Sequence, residues 1–263
     1  VVMSAPHYGG EAPRDRSETD KESPPEKKTS KLKRLGQVLG IIILGLLLGV
    51  VALMLMEDGL VFYPEAEPID GTWEPLGLPV EHITFMTSDG LQLHAWWRRA
   101  ESPNANEQPV VIYCHGNAGN ISTTDRRELM NILASAGLNV FLFDYSGYGA
   151  SEGTPGEEGL YLDGEAAYDY LVEQRDIDPC RMFTLGRSLG ASVALHIALE
   201  REVQGVILDG AFASIPRMAG LHPLLRPFTF LIRNRFDNVE KASRLQVPLM
   251  IIHGAEDEVV PID

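Results

Sequence analysis

Gly186-Arg187-Ser188-Leu189-Gly190 is the stretch on which the reading of this chain turns. Arg181-Met182-Phe183-Thr184-Leu185 in front of it is a short, mostly apolar run, as a buried strand is. Ala191-Ser192-Val193-Ala194-Leu195-His196-Ile197-Ala198-Leu199 behind it is rich in Ala and Leu, enough for a helix of two to three turns. A Gly-x-Ser-x-Gly pentad between a strand and a helix has the pattern of a nucleophile elbow. So tight a turn has no room for side chains two residues either side of the serine, so both places call for glycine. The hydroxyl of Ser188 is then held at the carboxyl edge of a sheet, over the positive end of the next helix.

Three further stretches set this pentad in context. Val110-Val111-Ile112-Tyr113-Cys114 reads as a buried strand and leads into His115-Gly116-Asn117-Ala118-Gly119-Asn120. Val140-Phe141-Leu142-Phe143-Asp144 leads into Tyr145-Ser146-Gly147-Tyr148-Gly149-Ala150-Ser151-Glu152-Gly153. Pro248-Leu249-Met250-Ile251-Ile252 leads into His253-Gly254-Ala255-Glu256-Asp257-Glu258. Between them, Thr123–Ala136 and Glu157–Gln174 carry helical apolar spacing, and Gly205–Leu208 is another short apolar run. Upstream, Glu81–Thr87 and Leu91–Arg98 flank Ser88-Asp89-Gly90, a good hairpin signal. Strands alternating with helices predict an α/β fold, a mostly parallel sheet with helices on both faces.

Taken in order, these motifs resemble the α/β-hydrolase family, and within it the membrane-anchored α/β-hydrolase-domain proteins, over roughly Phe62 to the end. The resemblance implies an α/β-hydrolase fold and a serine hydrolase, with Ser188 as nucleophile. The oxyanion hole would be made by the backbone N–H groups of Asn117 and Leu189. Asp257, after the seventh strand, matches the family's acid, and Asp209, after the sixth, is the reserve candidate. Asp144 falls too early in the Ser–acid–His order and is expected to tie down its own Gly-rich turn. All seven histidines (7, 82, 94, 115, 196, 222 and 253) precede Asp257. His115 and His253 sit in loop motifs with structural roles, His196 is expected to pack on its helix, and His82, His94 and His222 carry no motif. The expectation is therefore that the last strand and the catalytic histidine fall outside these 263 residues. The family's sheet also makes the strands bearing Cys114 and following Cys180 parallel neighbours, which sets the two thiols at opposite ends. A five-residue strand spans about 16 Å, and disulfide Cα atoms lie about 4.4–6.8 Å apart, so both are expected to be free.

Composition narrows the partners. The net charge is −15, yet residues 1–34 hold eight of the 22 Lys and Arg against six of the 37 acids. The rest is thus strongly acidic, which argues against nucleic acid and against a broad basic face on anionic lipid. No His, Cys and carboxylate cluster has ligand spacing, so neither a metal nor an organic cofactor is expected.

Residues 1–34 are polar and proline-bearing and predict a disordered tail. Leu35–Met56 then runs without a charge. As a helix its 22 residues reach about 33 Å, enough for a hydrocarbon core of roughly 30 Å. A signal peptide fits less well, because a long polar segment precedes it and no small-residue cleavage site follows. Lys27, Lys28, Lys31, Lys33 and Arg34 on one flank, with Glu57 and Asp58 on the other, predict a cytoplasmic amino terminus and an exported domain. Gly36-x-x-x-Gly40 and Gly45-x-x-x-Gly49 offer a helix–helix face, though glycine is common in such spans anyway. Residues 57–78 read as a linker and 79–263 as the domain. Within it, 211–246 is either a cap, with an apolar wall for an acyl chain and a basic rim, or an amphipathic helix pair with solvated arginines. The leading expectation is a membrane-anchored serine hydrolase acting on a small-molecule ester or thioester, lipids included. A serine peptidase of the same fold, or a non-catalytic binding module, are the alternatives.

Overall fold

Every side chain of Val110–Cys114 is buried, because this strand lies at the middle of a seven-stranded sheet with helices against both faces. The computed structural model describes residues 3, 26–74, 78–257 and 260. Its strands are β1 (Glu81–Met86), β2 (Gln92–Arg98), β3 (Val110–Cys114), β4 (Asn139–Phe143), β5 (Met182–Arg187), β6 (Gly205–Asp209) and β7 (Leu249–Ile252). They stand in the order β1-β2-β4-β3-β5-β6-β7. β1 and β2 form the antiparallel hairpin whose turn holds Gly90 at φ +89°, and β2 pairs antiparallel with β4. β4, β3, β5, β6 and β7 run parallel.

The pleat sends alternate side chains to two separate cores. Val110, Ile112 and Cys114 of β3, with Phe141 and Phe143 of β4, pack on the side of α3 (Glu157–Arg175) and α4 (Gly190–Glu200). Val111 and Tyr113, with Val140 and Leu142, pack on the side of α2 (Thr124–Ser135), where Met130 is buried. The parallel strands all end at one edge, and the loops that follow them are brought together there. β3 and β5 are neighbours in register Val110 to Met182 and Cys114 to Gly186, so Cys180 lies beyond the far end from Cys114. Both thiols are free.

Two stretches differ from expectation. The amino-terminal helix α1 runs Glu26–Val61, so the tail expected over 1–34 is helical from Glu26; residues 4–25 lie outside the described residues. The portion Lys31–Val61 is long and apolar enough to cross a membrane, with a mean hydropathy of 3.1 over its most apolar window. The described residues up to Val50 belong to one unit and those from Val51 onward to the other. The second difference is the linker. Much of 57–70 is docked on the domain: Phe62 is buried in the core and Pro64 bridges to Gly119. The carboxylate of Glu57 accepts the backbone N–H groups of Arg233 and Asn234 at 2.9 and 2.8 Å. Local pattern gave Glu57 only as a flanking charge, and its partners lie far away in the sequence.

The 211–246 region consists of α5 (Ile215–Gly220), a 3₁₀ turn (Arg226–Leu231) and α6 (Asn238–Arg244). Leu221, Leu224, Leu225, Phe228 and Phe230 on it are exposed.

Candidate active site

Ser188 sits at φ +51°, in the left-handed region that non-glycine residues rarely enter. Its surroundings enforce that conformation. A Cβ on Gly186 would meet the Gly190 carbonyl oxygen at 2.4 Å, and one on Gly190 would meet that of Cys114 at 2.0 Å. Backbone packs against backbone on both sides, so neither neighbour can give way. The Ser188 N–H donates to the Asp209 carbonyl at 2.9 Å, and the Ser188 carbonyl accepts from Ala191 N–H at 3.0 Å as α4 begins. The serine is half-buried, and no hydrogen bond among the described residues occupies its Oγ. Cys114 directly beneath is fully buried, and burial pushes its thiol well above the usual range, so it is an inert packing residue.

The loop after β3 closes over the serine. A Cβ placed on Gly116 would stand 3.7 Å from Ser188 Cβ. Arg126, buried on α2, donates through Nη2 to the Gly116 carbonyl at 2.8 Å and also to that of Ala118. The Asn117 N–H finds no acceptor among the described residues, and neither does that of Leu189. The Asn117 side chain is fixed from three directions. Its Oδ1 accepts from Tyr148 OH at 2.8 Å and Tyr63 N–H at 3.2 Å, and its Nδ2 donates to the Val61 carbonyl. The sequence reading missed Arg126, which looks like one more polar residue on an amphipathic helix. It also missed Tyr63 and Tyr148 as supports of Asn117.

Asp144 is fully buried and serves more than its own turn. Its Oδ1 accepts from Ile121 N–H at 2.8 Å, and the His115 and His94 rings approach at 3.4 and 3.9 Å, electrostatic contacts longer than a good hydrogen bond. A Cβ on Gly149 would collide with its carboxyl, so the glycine in the loop after β4 makes its room. Burial alone would raise this carboxyl; the His115 and His94 rings and the Ile121 N–H outweigh burial and hold it below the usual range. Burial, with the Arg126 guanidinium nearby, lowers His115, leaving a neutral ring against a carboxylate. A second buried acid, Asp163 of α3, accepts from the N–H and hydroxyl of Ser146, both at 2.7 Å. Burial pushes it up to about 7 despite those bonds.

The two candidate acids stand at the same sheet edge in different company. The carboxylate of Asp209 lies 3.5 Å from Arg187 Nε, and Arg187 also reaches Asp125 at 3.1 Å. Asp257 lies beyond β7, where a Cβ on Gly210 would come within 3.8 Å of its Oδ2. Its Oδ1 accepts from Val260 N–H at 2.8 Å. His253 Nε2 is 3.7 Å from its other oxygen and is engaged by the Val260 carbonyl at 2.7 Å. His196 stacks on Tyr161 and bonds Glu165 at 2.8 Å, and His82 pairs with His94 at 3.3 Å. His7 lies outside the described residues. Among the described residues, no histidine hydrogen-bonds Ser188 Oγ, and no group of three His, Cys, Asp or Glu is arranged to hold a metal.

This architecture has relatives. A family model described as serine aminopeptidase, S33, matches residues 105–240. The α/β-hydrolase domain-containing protein WAV2 of Arabidopsis thaliana is 33% identical over 233 residues, covering 81% of this chain and 74% of that protein. This chain belongs to the α/β-hydrolase family. An uncharacterised membrane protein of Saccharomyces cerevisiae is 34% identical over 191 residues, 70% of this chain and 65% of that one. Among solved structures, an esterase of Pyrococcus furiosus superposes with a TM-score of 0.61 at 23% identity, over 77% of this α/β-hydrolase and 80% of the esterase. The acylaminoacyl peptidase of Pyrococcus horikoshii does so with 0.56 at 16%, over 70% and 33%. At those identities the two structures establish the shared fold.

Proposed function

We propose that this α/β-hydrolase is a membrane-anchored serine hydrolase that cleaves esters or thioesters through an acyl-enzyme on Ser188. The observation that carries the reading is the strained left-handed Ser188, held between two obligatory glycines with two unoccupied amides beside it. Ser188 Oγ attacks the acyl carbonyl and loses its proton to a histidine base oriented by Asp257. The Asn117 and Leu189 N–H groups receive the developing oxyanion. Collapse expels the alcohol or thiol, which takes up that proton, and water then releases the acid by the same steps in reverse. Esters and thioesters are favoured by their good leaving groups. Amide cleavage uses the same groups, and both the family description and the acylaminoacyl peptidase neighbour keep a peptidase as the second reading.

The apolar helix α1 and the yeast relative described as a membrane protein support membrane association. The basic flank before Leu35 favours a cytoplasmic amino terminus with the hydrolase domain on the opposite side. The test is labelling of the intact protein with a fluorophosphonate, which needs only an activated nucleophile and a hole for its oxygen. Labelling of Ser188, lost in Ser188→Ala, is the expected result. An unlabelled protein that hydrolyses no p-nitrophenyl ester would favour a binding module instead.

A further inference from the structure

A groove of about 260 Å³ lies between the last turns of α1 and the 215–232 segment. One wall is Met54, Leu60 and Val61; the other includes Ile215, Ala219 and Phe228. Among the described residues Glu57 is the only ionisable one lining it, and its carboxylate is engaged by the Arg233 and Asn234 amides, so the slot presents hydrocarbon. We propose that this groove takes one acyl chain of a lipid ester drawn from the bilayer.

Three observations point to that occupant. First, Met54 is part of the charge-free run Leu35–Met56, so the groove begins within the run's final turn. The slot therefore starts, along the chain, where the charge-free run ends. The argument rests on reading Leu35–Met56 as a membrane span. Second, the groove wall is linked directly to the reactive edge. The Val61 carbonyl accepts from the Asn117 side chain, and adjacent Gly116 lies against Ser188. One hydrogen bond thus joins the groove wall at Val61 to the loop that lies against Ser188. Third, Arg226 stands exposed between Leu225 and Phe228 and makes no ion pair among the described residues. Its sequence neighbours Leu225 and Phe228 line the slot, so it offers a cation next to that apolar wall for a lipid phosphate. An area this apolar, left open on a strongly acidic domain, is the mark of a hydrophobic ligand site.

The experiment reconstitutes the intact protein in phosphatidylcholine vesicles doped with a phosphatidylcholine carrying a diazirine in its acyl chain. After irradiation, adducts are mapped by mass spectrometry. Adducts are expected on Met54–Val61 and on residues 215–232, falling about tenfold in Ala219→Trp, which fills the slot, as a loss of 1.4 kcal/mol of binding would give. Ser188→Ala should label like the natural protein, since occupancy does not depend on turnover; this separates failure here from failure of the hydrolase reading. Should Ala219→Trp not fold, Ala219→Leu and the adduct map of the natural protein decide. A protein that resists carbonate extraction but carries adducts only within residues 35–50 overturns the groove. Release by carbonate overturns the membrane reading and the groove together.

Discussion

The backbone N–H of Ser188 donates to the carbonyl oxygen of Asp209 at 2.9 Å, so the end of β6 is bonded to the residue at the top of the elbow. The same residue's side chain lies near Arg187, one position before the serine. Asp209 is therefore tied to the elbow by both its backbone and its side chain, whereas Asp257 has contacts in its own turn, with the Gly254 carbonyl, the Val260 N–H and the His253 ring. The two candidate acids thus differ in what they hold.

In the intact protein, Asp257→Asn should lower kcat/KM for a short p-nitrophenyl ester by something on the order of 10⁴, as loss of a triad acid does. Asp209→Asn keeps the backbone bond to Ser188 and should cost less than about tenfold, within the range of a modest positioning effect. Similar losses in both variants would remove the basis for assigning Asp257.

The strain at Ser188 has a stability consequence. An L-residue at positive φ costs about 1–2 kcal/mol that glycine avoids, while glycine's freer unfolded chain returns about 0.4–1. Ser188→Gly should therefore melt higher than Ser188→Ala by about 2–4 °C per net kcal/mol. On the proposed mechanism both variants lack the nucleophile and should be inactive. Equal melting temperatures would mean the turn relaxes without the hydroxyl.

Glycines at the elbow differ from glycines elsewhere. Gly190→Ala drives a methyl into the Cys114 and His115 backbone and should cost more than about 4 kcal/mol or prevent folding. Gly137, at φ +88° but with open space around it, should lose only about 1–2 kcal/mol on the same change. Comparable denaturation midpoints for the two would contradict the packing argument.

Asp163 makes stability pH-dependent. Its folded value of about 7 lies above the ~3.9 of an unfolded aspartate. Between those values the folded state holds a proton the unfolded state has lost, so unfolding free energy falls as pH rises from about 4 to about 7. Urea unfolding of the natural protein relative to Asp163→Asn should show that loss between pH 5 and pH 8. Parallel stabilities across that range would show that Asp163 titrates normally.

Much of this was legible because it is local. The Gly-x-Ser-x-Gly turn, the apolar strands and the charge-free helix each carry their signal within a few residues, and β3 falls on Val110–Cys114 as expected. What was not legible depends on partners distant in the chain. Glu57 meets Asn234 across 177 positions, and Asp144 reaches Ile121 across 23, neither with a periodic cue. Arg126 lies on α2 where spacing predicts a solvent-facing residue, yet it is buried under the carbonyls of the loop it holds. Polar residues recruited by loops leave no pattern in hydropathy.

If Leu35–Met56 is a membrane anchor, as proposed above, the Glu57 carboxylate bears on whether the domain could be shed from it. A protease cutting just past Glu57 would strip the acceptor from the Asn234 amide, which is buried, and from the Arg233 amide beside it. Stranding such donors costs about 1–3 kcal/mol each. The cleaved product would also have lost the turn bearing Met54, which forms part of one wall of the apolar slot. On the membrane-anchored reading, clipping at that point is thus a route that damages what it releases, and a released form that keeps these contacts would have to retain Met54 and Glu57.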